Sequence, residues 1–158
     1  MLDFQTKAEI QSWIWRIQEL FDSNILNSKD LFRQSALIEV LINMKDLLVK
    51  SEKILNIRVS FKEDVFPDEK LKIKDIHDLI SNFRDAACHN DSFRRRFWSS
   101  VLAFNTIFGK WIMNLWNTKI ESKYSDEVAF NMGSHILYLN RHLKRAFEQL
   151  KINFNNYI

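Results

Sequence analysis

Six consecutive residues, Arg84-Asp85-Ala86-Ala87-Cys88-His89, hold the residue types best suited to chemistry on a phosphate. A histidine exchanges protons near neutral pH, because its unperturbed pKa is about 6.5. An arginine keeps its charge and can hold two phosphate oxygens at once. On an ideal helix Asp85 and His89 are four apart and share a face, so Asp85 is placed to set the imidazole tautomer. Arg84 and His89 are five apart, and their directions differ by roughly 140° at 3.6 residues per turn. They converge only where the helix ends or distorts, or where each meets a counterpart from another subunit. Cys88 beside His89 suggests a thiol with its base, but adjacent helical positions diverge by roughly 100°, which is poor geometry for that pair. The four histidines, His77, His89, His135 and His142, show no zinc-like spacing with Cys88, so neither a metal nor another cofactor is expected.

An arginine followed by a polar residue, with a histidine five positions on after four intervening residues, resembles the Arg-x4–6-His signature of the HEPN family. The members it resembles are the shorter prokaryotic HEPN proteins found in toxin–antitoxin and phage-defence systems. That resemblance implies a helical domain and a metal-independent endoribonuclease that works as a homodimer, with the site at the subunit interface. Carried onto this chain, it makes Arg84 and His89 catalytic and puts Asp85 in the polar position after the arginine. It also implies a toxin or defence effector with an antitoxin or defence partner protein. Some members carry a tyrosine two residues after the histidine; Asp91 stands there, so control by modifying that tyrosine is not implied.

RNA cleavage by its own 2′-hydroxyl needs a base for the hydroxyl, a cation for the phosphorane and an acid for the leaving oxygen. His89 and Arg84 meet those needs, and a preorganised cation at developing charge is often a large catalytic term. Arg94, Arg95 and Arg96 lie between Phe93 and Phe97, and arginines among aromatics suit phosphate pairing and base stacking. Arg141, Lys144 and Arg145 form a second basic group. His135, Tyr138, His142 and Arg145 fall along one stripe of the expected last helix, which nominates Tyr138, His142 and Arg145 for RNA contact; such stripes are more commonly a half-exposed polar flank. The alternative to a nuclease is a non-catalytic helical module that binds a protein or a nucleotide.

The elements that must position these residues read as mainly all-α, a bundle of four to five helices forming one domain over residues 1–158. Two glycines and one proline favour long helices over a many-stranded sheet. Thr6-Lys7-Ala8-Glu9 has capping-box spacing, followed by Ile10, Trp13, Ile14, Ile17, Leu20 and Phe21 on one face. Ser28 caps a second helix from about Lys29 to Leu55. Asn56 to Lys72 reads as a loop with at most a short strand. A third helix runs from about Ile73 to Cys88, with Asn90-Asp91-Ser92 as its stop. Residues 101–118 fit a small β-hairpin, with strands near Leu102 to Phe108 and Trp111 to Trp116, and fit a helix nearly as well. Ser125 opens a last helix carrying Val128, Met132, Ile136, Leu139, Leu143, Ala146, Phe147 and Leu150, with Gly133 as an internal weakness or a close backbone approach.

Lys and Arg number 23 against 20 Asp and Glu, a net charge of +3, which biases the chain only weakly toward anions. One cysteine and the absence of a basic-then-apolar leader point to the cytoplasm. Trp98 to Trp116 is the longest weakly charged stretch. It is too polar to span a bilayer, so no stable membrane insertion is expected, and peripheral contact is a minor alternative. Trp15 falls off the apolar stripe of its helix and suits an interface.

Overall fold

The computed structural model describes residues 2–89, 96–97, 100–101, 105–115 and 118–157; for residues 96–97, 100–101, 115 and 118 it describes the backbone alone. Helix α1 (Phe4–Asp22) begins earlier than the capping-box spacing suggests. Asp3 is the cap, and its carboxylate accepts from the backbone N and the hydroxyl of Thr6 at 2.8 and 2.7 Å. A carboxylate can satisfy an orphan helix donor as well as a hydroxyl can, and its charge suits the positive end. Ser28 does not cap α2 (Arg33–Leu55); its hydroxyl donates back to Ile25 O and accepts from Asp30 N. Asn56, at φ 56°, ends α2 in the left-handed region. Asp75 caps α3 (Ile76–Cys88) by accepting from Asp78 N. Ile73, the expected first residue of that helix, instead pairs with Asp68 in an isolated bridge.

Beyond α3 the expected helical bundle gives way to a mixed α/β architecture. Strands β1 (Arg96–Phe97) and β2 (Ser100–Val101) form a short antiparallel ladder. Strands β3 (Thr106–Phe108), β6 (Val128–Met132) and β7 (His135–Tyr138) form an antiparallel sheet in the order β3-β6-β7. Strands β4 (Trp111–Leu115) and β5 (Thr118–Ser122) form a separate antiparallel pair, with Met113 opposite Ile120. A hairpin does occur within 101–118 and its continuation, but the partners differ from those expected. β3 pairs with β6 and β4 with β5, so the turn at Gly109-Lys110 links two different sheets.

The continuous last helix from Ser125 is overturned. Its first half is the β6–β7 hairpin, with Gly133 at φ 56° in the turn. Its second half is a π-helical segment (Leu139–Lys144) running into α4 (Arg145–Phe154). Every residue of β6 and β7 is buried. Val128, Phe130, Met132 and Leu137 join the helical core, whereas Ala129, Ile136 and Tyr138 pack with Ile107 and Ile120 in a second cluster. The sheet is thus a middle layer between the helices and the β4–β5 pair. A strand buried on both faces loses the polar–apolar alternation that identifies strands. Val128, Met132 and Ile136 were left at steps of four, which mimic a helix.

The main core is built around α2, whose Leu37, Val40, Leu41, Met44, Leu47 and Leu48 are buried. Helices α1, α3 and α4 all pack on it. Four α-helices among the described residues therefore survive from the expected bundle, with the strands inserted between α3 and α4. No described helix is long and apolar enough to cross a membrane.

Candidate functional site

The six-residue motif occupies the end of α3. Arg84 and Asp85 are partly exposed, Ala86 is buried in the core, and Cys88 and His89 are exposed. The helix stops at Cys88, and His89 leaves it in extended backbone at φ −124°, ψ 104°. One of the conditions under which Arg84 and His89 can approach is therefore met: the helix ends between them. It also removes the ideal four-residue relation between Asp85 and His89.

Asp85 turns to cations instead. Its Oδ1 accepts from Lys45 Nζ of α2 at 2.7 Å and from Arg84 Nη1 at 3.2 Å. Lys45, Asp85 and Arg84 side chains are 25%, 24% and 31% exposed, so water reaches all three and screens them in part. Arg84 Nε is buried and finds no acceptor among the described residues. The α2·α3 packing that brings Lys45 here also buries Ile80, Phe83 and Ala86 against α2. Sequence analysis missed Lys45 because it lies 40 residues from Asp85, on a helix whose phase alone does not reveal its neighbour.

The remaining nominated residues separate. Arg94 and Arg95 lie outside the described residues, as do Asn90-Asp91-Ser92, Trp98 and Trp116; of Arg96 only the backbone is described, in β1. Tyr138 and His142, placed by sequence on a partly exposed helical flank, are 2% and 1% exposed. Tyr138 ends β7, where its hydroxyl accepts from Lys123 N at 3.1 Å and its ring meets Tyr124 edge-on. Burial pushes its phenol above the usual range. His142 accepts from Tyr138 N at Nδ1, 3.2 Å, so Nε2 carries the proton and donates to Glu63 O at 3.0 Å. Burial also pushes this imidazole below its ordinary pKa. Both side chains are internal fasteners, not an RNA-facing surface. His135 is likewise buried and paired with Asp68, 3.0 Å away.

Arg145 alone of that group is exposed. Its guanidinium lies 4.0 Å from the Phe61 ring centre and 3.2 Å from Glu63. Nearby, Arg141 lies 3.7 Å from the Tyr124 ring centre. Both line a cleft of about 550 Å³ with Asp64, Tyr124, Asp126 and Asn140. The floor is Glu127, 4% exposed, whose carboxylate accepts from the backbone N of Val128, Asn140 and Arg141 and from the Asn140 amide. It caps the π-helical segment and so already fills that helix end's anion position. Glu127 caps a helical segment that begins twelve residues later in the chain. Among the described residues no three His, Cys, Asp or Glu side chains are grouped to hold a metal ion.

No family model matches this chain, and no curated protein or solved structure does either.

Proposed function

We propose that this chain is a metal-independent RNA endonuclease of the HEPN type, acting as a toxin or defence effector. The observation that carries the reading is the exposed His89 at the end of α3, one turn beyond a guanidinium that the Asp85–Lys45 pair holds at the surface. In the reaction a base takes the 2′-hydroxyl proton, the 2′-oxygen bonds to phosphorus, and the bond to the 5′-oxygen breaks as that oxygen is protonated. The products are a 2′,3′-cyclic phosphate and a 5′-hydroxyl. His89 exchanges the protons and Arg84 stabilises the phosphorane. Asp85 acts on the cations rather than on the imidazole. Pairing of two α3 ends in a homodimer would supply one histidine as base and the other as acid. Arg94, Arg95, Arg96 and Arg145 are the proposed guides for RNA, and an antitoxin or other defence protein is the proposed partner. The mixed fold departs from the helical frame that the resemblance implies. The support therefore lies in the motif and the exposure of His89.

His89→Ala and Arg84→Ala proteins, each folded by circular dichroism, should lose RNA cleavage by at least about a hundredfold, the usual weight of a general acid–base group. EDTA should leave the parent rate unchanged, and a DNA strand of the same sequence should survive. Undiminished cleavage by either variant would end the assignment. The alternative of a non-catalytic nucleotide- or protein-binding module draws on the cleft beside Arg141 and Arg145. It gains ground if purified protein binds such a ligand but cuts no RNA.

A further inference from the structure

A phosphodiester carries one negative charge on two non-bridging oxygens. The surface at the end of α3 offers two cations to meet it, a guanidinium and an ammonium. Lys45 Nζ and Arg84 Nη1 bond the same carboxylate oxygen, at 2.7 and 3.2 Å, so they stand no farther apart than those two bonds laid end to end. Among the described residues, two cations on one carboxylate leave an excess of one positive charge, opposite in sign to the diester. Both side chains keep a quarter or more of their surface in water, so a ligand can reach them.

The resting arrangement is also a poor one for the arginine. Its contact to Asp85 uses a single nitrogen, whereas guanidinium–oxyanion pairs are strongest when two nitrogens meet two oxygens. Its Nε is buried without an acceptor among the described residues, a costly state for a charged donor. Swinging outward to a phosphate would relieve both defects, while Lys45, a compact charge on a flexible stem, can follow without losing Asp85.

We propose that Lys45 is a phosphate-binding residue of this site, which with Arg84 grips the two non-bridging oxygens of the scissile RNA linkage while Asp85 sets their spacing. The reaction in this statement rests on the RNA-cleavage reading; the phosphate grip does not require cleavage to occur.

The test separates the two. Binding of an uncleavable 2′-O-methyl oligoribonucleotide is followed by fluorescence anisotropy across a salt series, for the parent, K45M, K45R, R84M and K45M/R84M. Each lost phosphate contact on a single strand should lower the slope of log affinity against log salt by about 0.7. K45M and R84M should each show that loss and about tenfold weaker binding, as for one charged hydrogen bond, and the double variant should show twice the loss of slope. K45R should keep the parent slope. Should K45M melt below the assay temperature, K45Q, which has a shorter stem but keeps a neutral amide donor, replaces it. An unchanged slope in K45M overturns the proposal. So does a double variant no worse than R84M, since Lys45 would then act only by positioning Arg84. A parent that binds with these slopes yet leaves ordinary RNA uncut removes the nuclease reading and keeps the grip. A parent that does not bind the oligonucleotide removes both.

Discussion

Replacing His142 distinguishes an internal fastener from an RNA-contacting residue. Its imidazole joins two backbone groups on separate elements, Tyr138 N at the end of β7 and Glu63 O in the loop before α3. His142→Ala removes both hydrogen bonds, about 1 kcal/mol each, and leaves a buried Tyr138 N–H unpaired at about 1–3 kcal/mol. The imidazole's contacts with the Tyr138 and Phe61 rings go as well. The expected loss is about 3–4 kcal/mol, which lowers the melting temperature by about 10 °C in a chain of this size. His142→Asn, whose amide can replace the acceptor to Tyr138 N, should lose less. Protonation acts on the same bond. The folded-state pKa lies below 6.5, so the unfolded chain binds more protons as the pH falls below 6.5. Stability is therefore full above about pH 6.5 and declines as the pH drops toward the folded pKa, by at most about 1.4 kcal/mol per pH unit for one histidine. His77, buried beside Glu52 and Asp78 and also lowered by its burial, adds a second decline in the same direction. Asp64 and Asp68 are pulled up by burial but lowered more by their hydrogen bonds, so their contribution is lost only in the carboxylate range. Urea unfolding at fixed salt between pH 7.5 and 5.5 measures this. His142→Asn should flatten the decline and leave only the His77 part. A variant with the parent's full pH slope and stability, but weakened RNA binding, would refute the reasoning and return His142 to the RNA surface.

Two further substitutions probe the frame. Arg58 bonds Asp75 at 2.9 Å, Asp78 at 2.7 Å and Glu52 at 3.1 Å, and Asp75 is the nearly buried cap of α3. Arg58→Met should cost about 2–3 kcal/mol in urea denaturation, less than a fully buried pair because the guanidinium is partly exposed, with loss of amide protection concentrated at the start of α3. Unchanged stability would mean that solvent screens the cluster fully. Gly109 sits at φ 76°, where a Cβ would stand 3.2 Å from Ser125 O. Gly109→Ala should cost about 1–2 kcal/mol through strain and crowding, read as a lower thermal midpoint, and a neutral result would show that the turn can relax.

Particular residues show how far sequence reading carried. Ile10, Ile17 and Phe21 in α1, Leu37, Leu41, Met44 and Leu48 in α2, and Ile76, Ile80 and Phe83 in α3 are all buried as their spacing requires. A helix that covers the core on one side repeats its apolar residues with its own pitch, so its pattern is local information. The β6–β7 hairpin was illegible for the opposite reason. Its strands are covered on both faces, and their polar residues, Asn131 and His135, are buried with the rest, so no alternation marks their period. Gly133 was the available signal, since a positive φ belongs to a tight turn rather than to a helix interior.

The motif follows the same division. Residue types and spacing were enough to single out Arg84, Asp85 and His89 as a candidate group and to place them at the end of α3, near Cys88. Tertiary packing decided that α3 starts only at Ile76, that Asp85 is drawn to Lys45, and that Tyr138 and His142 turn inward. Helical phase and acid–base character are properties of neighbouring residues along the chain. Which cation meets a carboxylate, and which ring is shut away from water, depends on elements that touch only after the chain has folded.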